Sequence, residues 1–475
     1  MATERSPIVA PQRSLDPAIA PDEPNWATRL GFQLYLVFIA SWFLQLARRF
    51  PVFGAVRFDL LLVIVIAMLC ALSPRRAVNR NVPAWNATRW VVILLVFSIA
   101  TVPFVEWPGS VLKSGIPEFI KAVVFCLFTA TLVRSERDLK RFMFVFVGCQ
   151  VVRVLEPLYL HVTDGYWGSY ASMANWEFLN RLAGAPADIV NPNGLAIVIL
   201  TALVFFHFLA RYFKFGKLAY LGFAPLALYA LALTASRTGM IALAVVILAI
   251  WWKSRRKALL GALVVIGIVI AAPLMSDDLA DRYLSMFSSH TKNAGTATDR
   301  KTAVLEGLAV AMRRPLFGHG LGTSGEANAN FGRSEQPTHN LYVEVAQEVG
   351  FIGLPIFLGF MFMIGADLKR IRGRCRETGV TGLVPAVADS MQVFFVMNLM
   401  VSLASYGLFG SEWYVMAGTC SALTWLIEER SRSTEPVTAP SRPDSVRPRL
   451  TRPAGFEPGR VVSRTSFRPR SNGLA

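Results

Sequence analysis

Charge is scarce in this sequence. Asp, Glu, Lys and Arg make up 17% of 475 residues, against 54% hydrophobic ones. A soluble chain of this length needs more polar surface than that, and its amphipathic helices would place a charge at nearly every turn. Cysteine is scarce too: five, an odd number, with no CxxC spacing. That excludes a disulfide framework and a zinc-finger set. Cys70, Cys126, Cys149 and Cys420 fall in apolar stretches and read as small buried hydrophobes, while Cys375 falls in a basic loop. No internal repeat is visible, and no cleavable signal peptide is expected, because the first apolar segment starts too late.

What is present is a series of long uncharged runs, such as Leu60 to Leu72, Leu195 to Phe206 and Ala258 to Met275. About 20 helical residues cross a hydrocarbon core, so each run is a spanning candidate. The expected fold class is an all-α integral membrane protein with about twelve spans, at 30–47, 58–73, 89–107, 117–133, 142–161, 192–210, 217–234, 238–252, 258–275, 341–366, 384–406 and 411–427. Three domains follow: a polar, disordered cytoplasmic N-terminus over 1–29, the membrane domain over 30–427, and a disordered, basic cytoplasmic tail over 428–475.

The formal charge of +17 does not indicate nucleic acid. Ten arginines lie from Arg430 onward, in a Pro- and Ser-rich tail suited to solvent and anionic headgroups. Five other basic clusters sit in alternate loops: Arg75 to Arg80, Arg134 to Arg141, Arg211 to Lys217, Lys253 to Lys257 and Lys369 to Arg376. With twelve spans all five fall on the side of both termini, which the positive-inside rule makes the cytoplasm. Loops 162–191 and 276–340 then face outward, the larger one between spans 9 and 10. Within it, Ser276 with Asp277, Asp278 and Asp281 reads as a helix start more than as a metal site. Asp299 to Arg314 reads as an amphipathic surface helix stopped by Pro315.

The outer side should be poor in arginine, yet it keeps Arg48, Arg49, Arg57, Arg237, Arg313, Arg314 and Arg333. Guanidinium forks suit phosphate oxygens, so an anionic lipid headgroup, most simply a pyrophosphate, is the expected ligand. Arg237 stands out in a tight Ser-Arg-Thr-Gly turn between two spans. Of the histidines, His161 and His207 read as packed or interfacial and His290 as solvated. His319, in Gly318-His319-Gly320-Leu321-Gly322, lies in a stretch whose glycines permit a phosphate cradle where a strand flanks it. His339 precedes the helix that re-enters the membrane, where an imidazole can exchange protons.

His339-Asn340, nine residues, Gly350, two residues and Gly353 resemble the signature of the O-antigen ligases and the related O-antigen polymerases. Ser236-Arg237-Thr238-Gly239, Pro315-Leu316-Phe317-Gly318 with Gly320 and Gly322, and Asn191-Pro192-Asn193 resemble the same superfamily, over residues 190 to 360. One departure is Ile241, where the ligases usually carry Leu. The resemblance implies a bacterial inner-membrane glycosyltransferase with the fold of the lipid-donor sugar transferases and no cofactor or metal. Its donor would be a glycan on undecaprenyl pyrophosphate, and its acceptor the lipid A core or a growing polysaccharide. Arg237 and His339 would be catalytic. Arg48, Arg49, Arg57, Arg313, Arg314, Asn193, Asn340 and Gly320 would bind substrate. Ligase, polymerase and protein glycosylation share these motifs. A transporter, the alternative from another class, calls for repeats and midplane charges; the sequence offers only Asp59 and an Arg153–Glu156 pair spaced to meet on one helix face.

Overall fold

Uncharged runs of Leu, Val, Ile, Ala and Phe can satisfy their backbone groups only internally once they leave water, and helix does this within one segment. The computed structural model describes residues 25–74, 86–172, 178–271, 295–333, 335, 338–405 and 407–434. Its helices are α1 (Trp26–Leu44), α2 (Phe58–Leu72), α3 (Ala87–Ala100), α4 (Ile116–Leu132), α5 (Glu136–Asp164), α6 (Pro192–Leu209), α7 (Gly216–Leu233), α8 (Arg237–Lys253), α9 (Lys257–Ala271), α10 (Gly295–Ala311), α11 (Ser324–Asn330), α12 (Leu341–Glu377), α13 (Leu383–Val401) and α14 (Ser411–Thr434). Among the described residues, seven helices are long and apolar enough to cross a membrane: α1, α4 with the turns before it, α5, α6, α7, α12 and α13. The protein is an all-α membrane protein in class.

Helix ends follow their caps. The side chains of Asn25, Asn86, Ser135, Asn191 and Ser236 each accept a first-turn N–H, opening α1, α3, α5, α6 and α8. The largest aromatic cluster joins α1, α4 and α5: Tyr35 and Phe38 pack among Phe125, Phe128 and Phe142. The Tyr35 hydroxyl meets Thr129 at 2.7 Å, which satisfies it inside that core. α6 is the most enclosed span; Phe205 reaches Phe146 of α5 on one side and Phe394 of α13 on the other.

Several expectations change. The segment after α5 holds an antiparallel hairpin, β1 (Gly168–Ser172) with β2 (Phe178–Leu182), with Gly168 opposite Leu182. α12 runs on to Glu377, so Cys375 is a buried helix residue and not part of a loop. α14 likewise continues helical to Thr434. Arg153 and Glu156 do not pair with each other. Arg153 binds Asp188, and Glu156 binds Arg49. The first basic cluster, Asp277, Asp278, Asp281, His290 and the tail beyond Thr434 lie outside the described residues.

Basic residues gather at one end of the bundle. Arg430 pairs with Glu136 at the start of α5, Arg374 with Glu428, and Lys253 and Arg372 share Asp389. α5 leaves that end at Glu136 and reaches Arg153 after roughly 25 Å of helix. α8 and α12 each begin at the other end, with Arg237 and Leu341. That end holds the site.

Candidate active site

His339 is held from both sides in the chain. On one side Thr338 is buried, its hydroxyl 3.5 Å from Gln347 Oε1. Gln347 is itself fully buried and donates to Gly307 O and Asn328 Oδ1, both at 3.0 Å. On the other side Asn340 caps α12: its Oδ1 accepts from the N–H groups of Tyr342 (3.0 Å) and Val343 (3.1 Å), and its Nδ2 donates to Leu403 O. With its amide spent on backbone, Asn340 acts as a cap that aims its neighbour.

The half-buried His339 opens into a cavity of about 310 Å³. The walls come from Gln150 and Arg153 of α5, Asn191 and Asn193 at the mouth of α6, Asn398 and Ser402 of α13, and the segment that leads to Glu412 of α14. Arg153 donates Nε and Nη2 to the two oxygens of Asp188 at 2.7 and 3.1 Å, and Nη1 to Gln150. This paired, two-pronged contact fixes the guanidinium and offsets its charge. One turn along, Glu156 takes both Nη groups of Arg49, and its carboxylate raises the pKa of that guanidinium further.

Asn193 connects the cavity to the arginine turn. Its Oδ1 accepts from Ser236 Oγ (2.8 Å) and from Arg181 Nη2 (3.0 Å), while Arg181 Nε donates to Thr234 O (3.0 Å). Ser236 also caps α8 through the N–H of Gly239 at 3.1 Å. Arg237 is therefore buried at the first position of α8, one residue from a contact with the cavity wall. Gly239 is tight against α6: a Cβ there would stand 2.6 Å from that of Ala196.

The glycine-rich stretch before His339 is a structural clip. α12 breaks at Gly350, whose φ of 71° and ψ of −178° suit only glycine. Residues 315 to 320 lie in the break. Phe351 N donates to Pro315 O (2.7 Å), His319 N to Gln347 O (2.7 Å) and Gly320 N to Glu348 O (3.1 Å). The N–H groups of His319 and Gly320 are thus committed to α12, and that of Gly318 to Arg314 O (3.1 Å). The His319 ring is fully buried, with Nδ1 2.6 Å from Glu106 and Nε2 2.9 Å from Val310 O.

The remaining expected arginines are scattered. Arg48 and Arg57 are exposed, and Arg49 is committed to Glu156. Arg313 lies over the Phe331 ring and Arg314 stands 3.8 Å from Glu106. The structure brings His339 and Asn193 to one cavity. Arg237 is adjacent through Ser236. Gly320 and Asn340 serve the frame around it. Sequence reasoning missed Asp188, Arg181 and Glu412. Arg181 was the discoverable one, an arginine in a loop that the sequence expectation puts on the arginine-poor side. Asp188 meets Arg153 across 35 residues, which no helical spacing reveals.

Residues 222–358 match the family described as O-antigen ligase, less than a third of the chain. The matched stretch holds Arg237, the clip, His339 and Gly350; Asn193, Arg153 and Glu412 lie outside it. No curated protein matches the chain.

Proposed function

We propose that this chain, whose residues 222–358 match the O-antigen ligase family, is a glycosyltransferase that moves a glycan from undecaprenyl pyrophosphate to an acceptor hydroxyl. The superfamily carries ligase or polymerase activity on lipid-linked glycans in general. The finer reading is an O-antigen ligase of the bacterial inner membrane, acting on the periplasmic face, with the lipid A core as acceptor. In this reading all twelve apolar segments span, both termini are cytoplasmic, and the basic end of the bundle faces the cytoplasm. The observation that carries it is that His339, from the matched stretch, opens into a cavity with Gln150, Arg153, Asn193 and Glu412 in its wall, at the end of the bundle away from the basic clusters.

The chemistry is displacement at an anomeric carbon. The acceptor oxygen forms a bond to that carbon, the bond from carbon to the phosphate oxygen breaks, and the lipid pyrophosphate departs with the electron pair. Pyrophosphate is already a competent leaving group, so the protein's main task is to stabilise the charge that develops on it, and the scheme requires no metal. A buried, prepositioned guanidinium at Arg237 suits that task. His339 either takes the acceptor proton or binds the pyrophosphate.

The test is a null strain complemented with wild type, His339→Ala or Arg237→Ala at matched expression, with lipopolysaccharide and secreted polysaccharide profiled together. Loss of long-chain lipopolysaccharide, with polymerised glycan accumulating on the lipid carrier, is the expected outcome. Single repeat units, or loss of a secreted polymer alone, would make the protein a polymerase. Wild-type profiles from both variants would overturn the site.

A further inference from the structure

We propose that Glu412 is the general base of this transfer, and that His339 acts on the pyrophosphate side. The inference rests on the glycosyl-transfer reading above. Glu412 lies in the first turn of α14, where the partial positive charge of a helix N-terminus favours a carboxylate. It is half-buried and lines the cavity into which His339 opens. Among the described lining residues it is the only carboxylate. It forms no hydrogen bond or ion pair with any described residue, whereas the other charged wall residue, Arg153, is committed to Asp188. Gly410 makes room for it: a Cβ there would stand 2.7 Å from Glu412 Oε2. The carboxylate folds back over a residue that has no side chain to obstruct it.

Charge divides the labour. A carboxylate beside a departing pyrophosphate would oppose the negative charge that forms there. Beside an acceptor hydroxyl it is a proton acceptor, and its charge favours the positive character that builds at the anomeric carbon. An imidazole suits the opposite side. In the step, the hydroxyl oxygen bonds to the anomeric carbon as its proton passes to Glu412. The carbon–oxygen bond to pyrophosphate breaks, and the lipid pyrophosphate leaves with that electron pair. The proton on Glu412 then returns to water.

Azide separates a base from a residue that serves the donor or the fold, because it is an anion and attacks without losing a proton. The full-length protein is reconstituted in liposomes with membrane extract from the null strain, which supplies accumulated lipid-linked glycan and acceptor. Transfer is read by gel and glycosyl azide by mass spectrometry. Glu412→Gln is expected to lower transfer to the hydroxyl by about 100-fold or more while forming glycosyl azide at the wild-type rate. His339→Ala is expected to lose both products. Gly410→Ala, which displaces the carboxylate without removing it, is expected to lower transfer and spare the azide product; it carries the test if Glu412→Gln does not fold. Full transfer by Glu412→Gln, or loss of both products in a folded Glu412→Gln or Gly410→Ala protein, would overturn the assignment. A wild-type protein that forms neither product would overturn the glycosyl-transfer reading, and the base with it.

Discussion

Gly350→Ala tests the clip that carries His339. The residue adopts a φ of 71° with ψ near 180°, a region essentially closed to any side chain. A Cβ there would stand 2.3 Å from Leu316 O and 2.6 Å from Gly318 N, both backbone atoms that cannot swing aside. Backbone strain of about 1–3 kcal/mol and overpacking of similar size set the cost at roughly 2–6 kcal/mol. Relief requires residues 315–320 to leave the break, and with them the bonds from Phe351 to Pro315 and from His319 to Gln347. The comparison is Gly373→Ala in the same helix, where a Cβ meets nothing within 4 Å. That change should raise stability by about 0.5–1 kcal/mol, because glycine is a poor helix former. Thermal melting of the purified protein in detergent, with transfer measured on the same samples, reads both. Gly350→Ala should melt well below wild type and lose transfer, while Gly373→Ala should do neither. If Gly350→Ala melted and transferred like wild type, the broken helix and its clip would be wrong.

Two further outcomes separate holding from chemistry. His319→Ala removes a buried hydrogen bond to Val310 O and a partly buried one to Glu106, and should cost about 1–3 kcal/mol; melting should fall while the folded fraction keeps its specific activity, and lost turnover at unchanged melting would refute a structural role. Asp188→Ala should destabilise by roughly 3–5 kcal/mol by leaving Arg153 unpaired in a buried setting, and Arg153→Met with Asp188→Leu should recover the melting temperature. Transfer should not return with it, because Arg153 lines the cavity; recovery of both would make the pair purely structural.

The helices were legible because the signal is physical and local. Runs such as 195–206 carry no charge that would have to be buried, and helix stands at each of the twelve apolar segments among the described residues. Boundaries were less legible where a basic segment continues the same helix. Lys369 to Arg376 reads as a loop by charge, yet α12 carries it, with Arg374 satisfied by Glu377 and Glu428. The hairpin was illegible, since Gly168–Ser172 is short and lacks the alternation of a half-buried strand. Pairings between distant residues escaped too. Spacing three residues apart suggested Arg153 with Glu156, but Asp188 and Arg49 outcompete that contact with two-pronged geometry from separate segments.

The glycine-rich stretch shows how one motif can contain two kinds of residue. Read alone, Gly318-His319-Gly320 offers free N–H groups and suggests an anion site. Folded, the N–H groups of His319 and Gly320 meet the carbonyls that α12 exposes where it breaks at Gly350, while that of Gly318 turns back to Arg314 O, so the two halves of the motif are donor and acceptor of one joint. His339 sits on the loop that this joint anchors, through Thr338 and Gln347. Loss of activity on changing a motif glycine therefore does not make that glycine part of the chemistry, since displacing the joint moves the histidine. The converse holds for Glu412. It lies outside the matched stretch and takes no part in the joint, so a change there leaves the frame in place and reports on the reaction itself.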